Sequence, residues 1–172
     1  QSGGLNLPWA DLSGQKNRQV VVAAGTPETY QGHPTTVLLP DSTTILCAWS
    51  YNHGGENGPL AQSKDGGLTW QLMSTPSDWK ATENCPSIYL LKDPKGKERL
   101  MVFAAKPNMS QTWSEDWGKT WTPVKSLGKP NVMAFASIIR LTNGDYLGLY
   151  HRGNDDKDRP PLKVWQSISK DG

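Results

Sequence analysis

Cysteine and phenylalanine are scarce in this chain, with two of each in 172 residues. So few cysteines exclude a disulfide-stapled scaffold, and Cys47 and Cys85 read as free thiols in apolar surroundings rather than as a bridge. Long apolar runs are missing as well. None approaches the roughly 20 residues of a membrane-spanning helix, so no membrane span is expected. Excess charge of one sign is also absent: 18 Lys and Arg against 16 Asp and Glu leave +2. Without a basic cluster, a nucleic-acid partner is not expected. The three histidines do not form a short-spaced ligand motif, so neither a metal nor a cofactor is expected. The chain opens on Gln1 instead of Met, which is compatible with a removed leader and a secreted or periplasmic location.

What the chain has in quantity is glycine (17), proline (13) and tryptophan (8). That profile fits many short strands joined by tight turns. One eight-residue word organises the rest. Ser63-Lys64-Asp65-Gly66-Gly67-Leu68-Thr69-Trp70 returns as Ser114-Glu115-Asp116-Trp117-Gly118-Lys119-Thr120-Trp121, keeping S-x-D-x-G-x-T-W. A third copy begins at Ser169-Lys170-Asp171-Gly172. From 63 to 114 is 51 residues and from 114 to 169 is 55, the length of one four-stranded propeller blade. Each word reads as a turn in which Asp accepts nearby N–H groups and glycine supplies positive φ. The closing Trp then buries its ring against a neighbouring blade. These residues, Asp65, Asp116 and Asp171 included, are structural staples and poor choices for catalysis.

The segments between the words fall into blades. Blade one covers about 30–74, blade two about 84–126 and blade three about 132–172, the last opening on a strand over 133–141. Asn143-Gly144 and Lys95-Gly96 mark hairpins. Residues 19–24 read as a further strand of the kind that closes the last blade of a ring.

The repeated word is the Asp-box, and from about Tyr30 onward the chain resembles the sialidase-like, BNR-repeat propellers. The resemblance implies an all-β fold, a β-propeller of four-stranded antiparallel blades. Three blades are expected here, about half of a six-bladed ring, so that this half alone is expected to be inactive. Its open blade edges are candidates for self-association.

The Asp-box specifies fold better than activity, so function rests on other residues. Asp-box turns and strand-one-to-two turns share one face. The starts of first strands and the strand-two-to-three loops lie on the other, which the resemblance makes the substrate face. His33, His53 and His151 all map there. With Glu56, Asn84, Arg152 and Asp156 on the same rim, they outline a polar site with acid/base candidates.

Sialidases place an arginine in a Phe/Tyr-Arg-Ile-Pro motif entering blade one. Here Tyr30-Gln31-Gly32-His33-Pro34 stands there, with Gln31 or His33 in place of the guanidinium. The family's acid is an aspartate before the first Asp-box, where this chain offers His53 and Glu56. The expectation is an exo-acting sialidase-like glycosidase whose substrate is a terminal acidic sugar. His53, Glu56 and His151 are the catalytic candidates, and Gln31, His33, Asn84, Arg152 and Asp156 the sugar-binding ones. The rival expectations are a non-catalytic glycan-binding or scaffold propeller and a histidine-dependent polysaccharide lyase or glycosidase.

Overall fold

A computed structural model describes residues 10–131, 133–152 and 163–172. The fold is all-β. Three antiparallel sheets follow one another along the chain, with two short 3-10 turns, η1 (Lys16–Arg18) and η2 (Ser77–Ala81), as the helical content among the described residues. The first sheet holds β1 (Gln31–Leu38), β2 (Ile45–Tyr51), β3 (Asn57–Ser63) and β4 (Gln71–Leu72) in sequence order. The second holds β5 (Ser87–Lys92), β6 (Glu98–Ala104), β7 (Ser110–Ser114) and β8 (Lys125–Ser126), again in order. The third holds β9 (Ser137–Arg140), β10 (Tyr146–Arg152) and β11 (Lys163–Ser169). It has three strands, and its first strand is shorter than the 133–141 reading.

Strand alternation builds the core between sheets. On β6, Leu100 and Val102 face sheet one, joining Leu39, Leu46, Ala48 and Leu60. Met101 and Phe103 face sheet three, joining Phe135, Tyr146 and Tyr150. Phe103, Phe135 and Tyr150 form a run of edge-on rings, with centroids 5.0 and 5.6 Å apart. Each such pair adds on the order of 1 kcal/mol beyond area burial.

The Asp-box words are the turns the sequence predicts. Asp65 Oδ1 accepts the Thr69 N–H at 2.9 Å and Oδ2 accepts its hydroxyl at 2.6 Å, while Ser63 Oγ donates to Asp65 at 2.7 Å. Asp116 repeats this with Thr120 at 2.8 and 2.5 Å and with Ser114 at 2.8 Å. Ser169 donates to Asp171 at 2.8 Å in the third word. The bonds from the threonine hydroxyls lead in holding Asp65 and Asp116 down to a pKa of about 2. Trp70 and Trp121 each donate the indole N–H to their own glycine carbonyl, Gly67 and Gly118, at 3.1 Å.

Residues 19–24 form no strand, contrary to the sequence reading. A ladder needs a neighbouring edge, and no described strand lies beside this segment. Val22 and Ala23 instead pack on Cys47, Trp49 and Ala61, covering the face of sheet one turned away from sheet two. Both cysteines are free: Cys47 is buried and Cys85 half-buried. Burial pushes both thiols up from their ordinary pKa. No described helix is long and apolar enough to cross a membrane.

Candidate functional site

β1 begins, and β2 and β6 end, at the edge opposite the Asp-box turns. The register shows this directly: Gln31 pairs with Tyr51 at one end of sheet one, and Ile45 pairs with Ser63 at the other. At the first end β1 is broken by a bulge between Gly32 and Thr35, and His33 sits inside it with φ 52°. The bulge turns the His33 ring toward the loop after β2. There His33 Nε2 lies 3.1 Å from His53 Nδ1, with ring centroids 4.8 Å apart and planes tilted by 55°.

Close backbone approach holds this pair in place. A Cβ on Gly32 would lie 2.5 Å from the Asn52 carbonyl oxygen, and one on Gly55 would lie 2.1 Å from that of Tyr51. Only glycine fits at either point. Asn52 clamps the strand entry from both sides: its Oδ1 accepts the Tyr30 N–H at 3.0 Å, and its own N–H donates to the Tyr30 carbonyl at 2.9 Å.

The rim continues from sheet one to sheet two through isolated backbone bridges. Glu56 pairs with Glu83, and Glu83 with Lys106. Lys106 Nζ also donates to Glu83 Oε2 at 2.9 Å. Asn84 donates its N–H to the Gly55 carbonyl at 3.0 Å, and its Oδ1 accepts the Cys85 thiol at 3.0 Å.

Six of the eight described non-glycine residues with positive φ lie on this edge: His33, Asn52, Asn84, Cys85, Asn108 and Met109. Backbone held in that region costs of order 1–3 kcal/mol per residue and clusters where side chains must be aimed.

The predicted site residues divide into groups. His33 and His53 meet. Glu56 and Asn84 stand on the same rim, Glu56 exposed and Asn84 half-buried. Gln31 acts as a strut, its Oε1 accepting the Trp49 indole N–H at 2.6 Å and its Nε2 donating to the Ala24 carbonyl at 3.2 Å. His151 and Arg152 end β10, at the corresponding edge of sheet three. The Arg152 guanidinium lies over the Trp165 ring, 4.2 Å from its centroid. By alternation His151 faces away from the side on which Tyr150 packs toward sheet two. Asp156 lies outside the described residues.

Sequence reading missed Glu83, Cys85 and Lys106. Glu83 and Lys106 reach the rim through bridges between loops of different sheets, and Cys85 through the Asn84 side chain, neither of which leaves a local pattern. Among the described residues no group of three or more His, Cys, Asp or Glu could hold a metal ion.

No curated protein matches the chain. A solved structure of a protein of unknown function from Dyadobacter fermentans is similar at 20% identity, with a TM-score of 0.45, over 81% of this chain and 36% of that one. The chain therefore spans little more than a third of that protein's length. A family model described as a BNR repeat-like domain matches residues 15–172. With three Asp-box words on three successive antiparallel sheets, the chain belongs to the BNR repeat-like domain family.

Proposed function

We propose that this chain forms part of the substrate rim of a sialidase-like glycoside hydrolase, exo-acting on a terminal acidic sugar. The observation that carries the reading is the His33–His53 contact at the strained edge. A neutral imidazole has one N–H and one bare nitrogen. If His33 Nε2 donates, His53 Nδ1 accepts, and the His53 proton then sits on Nε2; with one extra proton on the His33 ring, His53 Nε2–H can be given to a leaving oxygen while the shared proton passes from His33 Nε2 to His53 Nδ1, leaving both rings neutral. If His53 Nδ1 donates instead, its Nε2 is bare and can take a proton from water. One hydrogen bond thus links the acid and base forms of the same atom, as a glycosidase requires across its cycle.

Glu56, exposed on the same loop, is the carboxylate for the second role. Asn84 would bind sugar hydroxyls beside it, His151 and Arg152 would contribute from the third sheet, and Asp156 is a further proposed sugar ligand. Arg152 supplies positive charge suited to an acidic sugar. Such substrates are extracellular glycans, so a secreted or periplasmic location goes with the proposal.

The test is hydrolysis of a panel of aryl glycosides and acidic oligosaccharides by the full-length protein that carries this segment. Turnover that falls at least a hundredfold in His53→Ala supports the reading. Glycan binding without product, unchanged in His53→Ala, would assign the rim to a binding module. A product absorbing in the ultraviolet would assign it to a lyase.

A further inference from the structure

We infer that His33 and His53 form a two-imidazole site for a first-row divalent cation, Zn²⁺ or Cu²⁺, open to solvent at the rim. One ring sits in the β1 bulge and the other in the loop after β2, 20 residues on, so no short spacing announces the pair. Their facing nitrogens, His33 Nε2 and His53 Nδ1, lie 3.1 Å apart. Metal bonds of about 2.0–2.1 Å to two nitrogens at that separation subtend an angle of about 100°. That lies between the right angle of a square or octahedral ion and the roughly 109° of a tetrahedral one. Imidazole is a preferred ligand of both cations.

Protonation allows the exchange. Each neutral ring carries one N–H, and chelation needs both protons on the outer nitrogens, His33 Nδ1 and His53 Nε2. Two bare lone pairs then face each other across the gap. The shared proton of the hydrogen bond relieves their repulsion in the free protein. A divalent cation relieves it equally, and the neutral pair releases no proton when it binds.

The surroundings favour positive charge. Residues 19–63 contain three acids and no lysine or arginine. One of those acids, Glu56, is exposed in the His53 loop, and on the adjoining rim Lys106 is held by Glu83 at 2.9 Å. A cation therefore meets an attractive field at the pair. Rigidity acts in the same direction. The close approaches at Gly32 and Gly55 and the Asn52 clamp fix the backbone on both sides of the gap before any ligand arrives. A chelate set in advance loses little freedom on binding. His53 is exposed and His33 half-buried, so the ion enters from solvent and water completes its coordination.

A bound cation occupies both facing nitrogens and stops the passage of a proton between the rings. The site itself does not depend on the glycosidase reading, whereas this loss of turnover does.

The experiment titrates Zn²⁺ alone into the full-length protein that carries this segment, followed by calorimetry. One saturable site is expected, weakened at least tenfold by His33→Asn and by His53→Asn and unmoved by His151→Asn. Asparagine tolerates the φ of 52° at position 33, so the bulge is kept. Substoichiometric Cu²⁺ should give an electron paramagnetic resonance spectrum with hyperfine structure from two ring nitrogens, lost in both variants. Should a variant misfold, the parent spectrum decides alone. Equal Zn²⁺ affinity in the parent and a folded variant, or a Cu²⁺ spectrum with a single ring nitrogen, overturns the inference. Turnover is read separately and should fall at least tenfold at saturating Zn²⁺. Binding with undiminished turnover keeps the cation site and overturns the acid/base role of the pair. Binding by a protein inactive on every glycoside keeps the site while the glycosidase reading falls.

Discussion

Trp79 and Trp121 meet edge to face, 4.9 Å between centroids and 73° between planes. One comes from the turn η2 between sheets, the other from the second Asp-box, so a single ring contact ties the connection to the repeat. Trp79 is 2% exposed, and its indole N–H has no hydrogen-bond partner among the described residues. Trp79→Ala should therefore destabilise the fold by about 3–5 kcal/mol, the cost of emptying a large buried site. Trp79→Phe should cost much less, because it also removes an unsatisfied buried donor. Chemical denaturation of both variants gives the comparison; equal losses would contradict it.

Acid should loosen the Asp-box turns. Their aspartates titrate near 2 in the folded chain, below the ordinary carboxylate value of about 3.9. A lowered folded pKa contributes stability above the unfolded value and loses it as pH falls through the folded one. The loss should fall between about pH 4 and pH 2. Asp116→Asn should lower the melting temperature at neutral pH and flatten its dependence across that window. Parallel melting curves for variant and parent would contradict the assignment.

Gly148 on β10 makes room for the ring of Phe135, which precedes β9 and stands edge-on to Phe103 of sheet two. A Cβ there would stand 2.7 Å from Phe135 Cδ1, inside contact distance. Gly148→Ala should cost about 1–3 kcal/mol through overpacking. Gly96, with open space around the same position but a φ of 86°, should show only the backbone penalty of about 1 kcal/mol on substitution by Ala. Calorimetric unfolding of the two variants separates steric from backbone effects.

The imidazole pair should depend on Gly32 and Gly55 more than global stability does. Gly32→Ala pushes the β1 bulge off the Asn52 carbonyl and should separate His33 from His53. Imidazole nitrogen NMR would show this as loss of the shared-proton signature, with the melting temperature moving by only a few degrees. An unchanged signature would contradict the view that these glycines set the pair.

The repeat was legible because every bond in the Asp-box word is local: Ser63, Asp65 and Thr69 satisfy one another within seven residues. The edge carrying His33 and His53 was legible because strand alternation fixes which turns share an end. Their contact was not, since it depends on a bulge and a positive φ at a non-glycine residue. Gln31 had the composition of a sugar ligand, yet Trp49 and Ala24 engage its amide. Val22 and Ala23 had the composition of a strand, but they serve as a cover because no partner edge is near.

The two-sidedness of β6 has a mechanical result. Leu100 and Val102 grip one neighbouring sheet while Met101 and Phe103 grip the other, so sheet two has no face of its own. Strain entering at either side is handed across a single backbone to the far side. In arrays of this kind, stability is a sum over adjacent units. Loosening one junction should lower the threshold for opening the next, and β6 is the hinge-pin through which that transmission runs.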